Sequence, residues 1–145
     1  MELSCKSEYA LLALLELTAH YDEGEPLQIR QIAAQQNIPD RYLEQLLATL
    51  RRAGLVRSQR GAKGGYLLGR EPWKITLLEV INCIEGLDSQ PSEVMREPKS
   101  VEGMVVREIW QEAGRAADAV LQKYTLKDLA EKRDARRQLD IMYYI

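Results

Sequence analysis

The chain has 145 residues, 46% of them apolar, with no apolar run of membrane-spanning length; this bounds it to one domain with a real core plus an extension. Two cysteines and one histidine are too few for a disulfide framework, a four-thiolate metal site or histidine-based catalysis. The net charge of −2 hides an uneven distribution: residues 41–74 hold eight cations against two anions, a local charge of +6, whereas residues 75–102 hold two cations against six anions, a local charge of −4.

The opening stretch MELSCKSEYA starts with an acid and lacks a signal-peptide pattern, so the cytoplasm is the expected compartment. Residues 7–21 carry Ala10, Leu11, Leu14, Leu15 and Thr18 at the spacing of one helical face. DEGEP at 22–26 breaks that helix. Residues 27–36 read as a short second helix with Ile29, Ile32 and Ala33 on one side. Asn37-Ile38-Pro39-Asp40 is a tight connection whose last residue is a candidate N-cap. The third helix runs over 41–53, buries Leu43, Leu46, Leu47 and Leu50, and stops at Gly54.

Residues 55–59 and 66–68 then flank a turn that contains Arg60, Gly61, Lys63, Gly64 and Gly65. This is not a nucleotide phosphate loop, because Lys63 precedes the glycine pair and Tyr66 stands where Ser or Thr is needed. It reads as a β-hairpin with Arg60 and Lys63 at a basic tip. Thr76-Leu77-Leu78-Glu79 is a capping box opening a fourth helix to about residue 85, ended by Gly86. Residues 87–102 contain two prolines and no periodicity, and read as a loop.

Residues 103–124 are helical again, with Met104, Val106, Ile109, Trp110, Ala113, Ala117, Val120 and Leu121 forming an apolar face. Burial in a homodimer interface or packing back on the first helix would each cover it. Thr125 to Asp128 cap a last, short helix, and the mixed-charge tail receives no assignment.

The order helix, helix, tight turn, helix, basic hairpin suits a helix-turn-helix reader of duplex DNA. The outward residues at the start of its second helix are Asp40, Arg41, Tyr42, Glu44 and Gln45. A solvated amphipathic helix is the plain alternative. A protein-interaction module that does not touch DNA is another, and the +6 segment disfavours it. No nucleophile–base pair supports an enzyme.

Several motifs taken together resemble the family of bacterial winged helix-turn-helix regulators typified by IscR, NsrR and CymR. They are Lys6-Ser7-Glu8-Tyr9-Ala10-Leu11, the run from Ile38 to Leu46, Leu50 to Val56, Arg60 to Leu68, Ile109-Trp110 and Thr125 to Leu129. The resemblance covers about residues 1–133. It implies a mainly α fold with a small β-hairpin. Residues 1–86 would form a winged helix-turn-helix domain with the wing at about 55–70. A loop at 87–102 would stand where the family binds its cluster, followed by a dimerisation helix and short helix over 103–133 and a tail over 134–145. It implies a homodimer on a pseudo-palindromic double-stranded operator. Glu44 and Gln45 would read base edges with Asp40 and Tyr42 nearby, and Arg60 would enter the minor groove. Arg30, Arg41, Arg51, Lys63 and Gly64 would complete the DNA contacts.

The chain departs from the family at its sensor. Sensor members hold an iron–sulfur cluster with three cysteines in the loop before the long helix, and residues 88–104 contain none. Ser92, Pro98 and Met104 lie about where the thiolates would be, and Arg107 replaces a histidine ligand. Serine, proline and thioether side chains do not replace thiolates on iron. The expectation is a regulator without a cofactor. The remaining donors for an atypical cluster are Cys5, Glu8, His20 and Cys83, with Glu8 equally at home as a first-turn acid and Cys83 as a small core residue.

Overall fold

A computed structural model describes residues 3–86 and 97–143. Among the described residues, six α-helices and one hairpin follow in order: α1 (Cys5–Ala19), α2 (Ile29–Gln36), α3 (Asp40–Arg52), β1 (Val56–Gln59), β2 (Gly65–Leu68), a 3-10 turn at Pro72–Lys74, α4 (Leu77–Glu85), α5 (Val101–Lys123) and α6 (Leu126–Tyr143).

The apolar stripes meet in one core. Leu14 of α1, Ile32 of α2, Leu43, Leu47 and Leu50 of α3, Ile75, Val80 of α4 and Leu126 of α6 are all fully buried. The periodicity of α3 is therefore realised as read, with its four leucines inward. Between α2 and α3, Asn37 adopts the left-handed conformation (φ 54°), and Ile38 is buried in the core. The Ile38 amide donates to the Ala33 carbonyl at 3.0 Å, which closes the end of α2 and sets the angle at which α3 departs.

Local details correct the sequence reading. α1 begins at Cys5, two residues earlier than its apolar pattern, because the Ser4 hydroxyl caps the Ser7 amide at 3.1 Å. Asp40 does not cap α3; Pro39 occupies that position, and Asp40 is the first helical residue, where an acid complements the helix dipole. Thr76 accepts from the Glu79 amide at 3.2 Å, but the Glu79 carboxylate is ion-paired with Arg70, so one half of the expected capping box is diverted. Ser100 caps the Gly103 amide at 3.0 Å and starts α5 at Val101.

The largest difference lies at the C-terminus. Where a short helix and an unassigned tail were expected, α6 runs from Leu126 to Tyr143. Its start is fixed to the body, since Leu126 N–H donates to Ile75 O (3.0 Å) and Leu77 N–H donates to Tyr124 O (2.9 Å). α6 packs on α1 and on the 3-10 turn. α5 has no buried residue and packs chiefly on α4 rather than on α1. Residues 87–96 of the expected 87–102 loop, including Ser92, lie outside the described residues.

Candidate nucleic-acid interface

The first turns of α3 present Asp40, Arg41, Glu44 and Gln45 to solvent, opposite the buried leucines. Tyr42 behaves differently. It is half-buried, and its ring meets Tyr9 of α1 edge-on at 5.4 Å and 81°, so its aromatic body braces α3 against α1. On α2, Arg30 is exposed, with its Nε donating to Gln28 Oε1 at 3.0 Å.

The hairpin pairs Val56 with Leu68, Arg57 with Leu67, Ser58 with Tyr66 and Gln59 with Gly65. Val56, Leu67 and Leu68 are buried. Arg57, Ser58 and Gln59, with the tip residues Arg60 and Lys63, are exposed. Two glycines are required by close approach. A Cβ on Gly64 would lie 2.2 Å from the Gln59 carbonyl oxygen, and one on Gly65 would lie 2.4 Å from the Leu27 carbonyl oxygen. The second crowding reflects an added bridge between Leu27 and Tyr66: Leu27 N–H donates to Tyr66 O at 2.9 Å, and Tyr66 N–H to Leu27 O at 2.7 Å. The wing is thereby tied to the segment that precedes α2. A second tie comes from Arg51, whose Nη1 donates to the Ser58 hydroxyl at 3.4 Å and links the last turn of α3 to β1.

Helix and hairpin thus belong to one mechanically coupled surface. Among the described residues, no carboxylate pairs with Arg41, Arg57, Arg60 or Lys63. Unneutralised guanidinium and ammonium groups on the exposed face of α3 and on the hairpin give this surface a positive character. Arg57 and the Leu27 bridge were not picked out from sequence. Arg57 was legible as a charge on a half-exposed strand, whereas a single-residue bridge leaves no periodicity to find.

The long α5 exposes Met104, Val105, Val106, Ile109, Trp110 and Val120, with Trp110 at 75% exposure. Ala113 is also exposed, and Ala117 and Leu121 are half-buried. Such a contiguous apolar face is unusual for a chain that stays alone in water.

Of the candidate donors for an atypical cluster, Glu8 lies in the first turn of α1. Cys5 is exposed at the start of α1, and Cys83 is half-buried on α4 with its thiol toward the Thr49 carbonyl at 3.8 Å. Burial pushes the Cys83 thiol above its usual range, with the nearby Arg52 guanidinium pulling the other way. His20 sits at the opposite end of α1, where its Nδ1 lies 2.9 Å from Glu23. Among the described residues, no three His, Cys, Asp or Glu side chains are grouped for a metal ion. Nor is any helix among them long and apolar enough to cross a membrane.

Comparison with known proteins matches residues 3–132 to the Rrf2 family, described as an iron-dependent transcriptional regulator. The chain is 41% identical over 145 residues to the HTH-type transcriptional regulator CymR of Bacillus subtilis, covering all of both chains. It is 33% identical over 135 residues to the regulator IscR of Xenorhabdus nematophila, covering 92% of this chain and 82% of the relative. The solved structure of CymR (YrzC), the global cysteine regulator of B. subtilis, superposes with a TM-score of 0.77 at 39% identity, over 91% of this chain and 98% of that one. The structure of T. potens IscR gives a TM-score of 0.77 at 34% identity, over 92% and 88% of the two chains.

Proposed function

The chain belongs to the Rrf2 family of helix-turn-helix transcriptional regulators, and from that premise we propose that it binds operator DNA in the cytoplasm as a homodimer, without an iron–sulfur cluster. The observation that carries the DNA reading is the set of unpaired cations on α3 and the wing: Arg41, Arg57, Arg60 and Lys63. The exposed start of α3 enters the major groove. There Gln45 suits an adenine edge, and Glu44 accepts from a cytosine amino group. Asp40 orients neighbouring donors, and Tyr42 contributes through the placement of α3. Arg30, Arg41 and Arg51 hold phosphates and set the register. Arg60 reaches into the adjoining minor groove, whose negative potential favours a guanidinium, while Lys63 and the bare backbone at Gly64 approach the phosphates.

The apolar face of α5, from Met104 and Val106 through Ile109, Trp110, Ala113, Ala117, Val120 and Leu121, meets the same face of a second copy. A two-fold dimer of this kind reads a pseudo-palindrome whose half-sites lie about one helical turn or a multiple of it apart. Iron dependence is a property of the family description; this chain's own donors do not support it. What supports the cluster-free reading is that residues 88–104 hold no cysteine and the chain has two in all, fewer than the three thiolates of the family's usual site.

Selection from a random duplex library tests this reading. The expected product is an inverted repeat bound with a steep salt dependence. Enrichment of an asymmetric single site, or no enrichment at all, contradicts it.

A further inference from the structure

A groove of about 430 Å³ lies between the end of α1, the 3-10 turn and α6. It falls in the size range of small-ligand sites. One wall is aromatic: Trp73 is half exposed, and its ring meets Tyr21 edge-on at 6.0 Å. A half-exposed indole held in place by a second ring is a preformed apolar contact surface that the reading above leaves unused.

The opposite wall carries both signs of charge. Lys127 Nζ lies 3.9 Å from Glu131 on α6, a loose pair in which both side chains are more than half exposed. Arg133 is the most enclosed cation, with a side chain 21% exposed and its Nη2 3.1 Å from Asp134. Asp22 also lines the groove, and among the described residues no cation pairs with it. A guanidinium and an ammonium on one helix, a free carboxylate from the turn after α1 and an aromatic floor complement a molecule with a carboxylate, an ammonium and an apolar body. A simple anion would leave Asp22 without a partner and meet three carboxylates. A simple apolar molecule would desolvate all the charges without compensation.

We propose that this groove is a binding site for a small zwitterion of the α-amino-acid type. Arg133 and Lys127 take the carboxylate, Asp22 takes the ammonium, and the side chain lies against Trp73 and Tyr21. The occupant would bridge the turn after α1, in the DNA-reading body, and α6, which follows the proposed dimer arm. Capture of the ligand rests on the groove alone. Its consequence for DNA rests on the regulator reading, and a titration without DNA keeps the two separable.

The test is calorimetric titration of the full chain with L-leucine, L-methionine and L-phenylalanine. The controls are 4-methylpentanoate and 3-methylbutylamine, which are leucine lacking one charged group each. The expected result is saturable binding of at least one amino acid, one per chain, below about 1 mM. Each single-charge analogue should bind at least roughly tenfold more weakly. Asp22→Asn and Arg133→Gln should each weaken binding by about tenfold, with thermal melts that match the parent. Asp22→Asn is a surface change that leaves the core untouched and keeps the test interpretable if Arg133→Gln destabilises α6. Absence of saturable heat from all three amino acids up to about 10 mM overturns the proposal. So does equal binding of the single-charge analogues, or undiminished binding by the folded Asp22→Asn protein.

Discussion

Replacing Gly65 by alanine places a methyl group 2.4 Å from the Leu27 carbonyl oxygen and 2.6 Å from its carbonyl carbon. A comfortable C···O approach is about 3.3 Å, so the wing and the Leu27 segment must separate by roughly 1 Å. Both neighbours are backbone, and neither can rotate away. The separation stretches the two hydrogen bonds of the Leu27–Tyr66 bridge, now 2.9 and 2.7 Å, beyond useful length. Each is worth about 0.5–1.5 kcal/mol net, so the expected loss is roughly 1–3 kcal/mol. For a chain of this size that corresponds to a Tm lower by about 3–10 °C. Differential scanning calorimetry reads the Tm, and hydrogen exchange at the Tyr66 amide reads the bridge directly. Operator affinity should fall as well, because the wing loses its tether to the body. A Tm within about 1 °C of the parent, with Tyr66 still protected, would refute the reasoning.

Arg60→Ala should weaken operator binding by about 1–3 kcal/mol at fixed salt and lower the salt slope by about one counterion, as read by fluorescence anisotropy. Ile109→Glu with Trp110→Glu, two charges on the exposed face of α5, should convert the proposed dimer to a folded monomer in analytical ultracentrifugation; an unchanged mass would place the interface elsewhere. Leu47→Ala should cost about 2–5 kcal/mol in urea denaturation, since the side chain is fully buried among the helices. Cys83 should alkylate more slowly than the exposed Cys5 at neutral pH, because its raised pKa keeps the thiol protonated; peptide mass spectrometry after a short iodoacetamide pulse separates the two.

What could be read in advance follows from how far each signal reaches along the chain. The register of α3 was legible because four leucines recur at helical spacing and all four are buried. The hairpin was legible from its glycines, which crowd against nearby backbone, and the start of α4 from Thr76. The length of α6 was not, because beyond Leu126 the helix buries no further residue and so carries no apolar stripe to announce it. The other misses are contacts between distant segments. Tyr42 turns toward Tyr9, Glu79 leaves its own cap for Arg70, and the buried Ser7 donates to Glu85 at 2.8 Å across 78 residues. Each depends on how helices sit together in space, which local propensity does not encode. In the candidate site, the exposed residues of α3 and the basic tip were visible as charges. Their mutual anchoring through Leu27 and Ser58 became visible only in three dimensions.

The most direct test of the central claim is to purify the protein without oxygen, assay iron and sulfide, and measure affinity for the selected operator on the same sample. The expected sample is a colourless, iron-free dimer that binds the operator fully. A coloured protein with stoichiometric iron, whose operator binding disappears when the iron is removed, would contradict it.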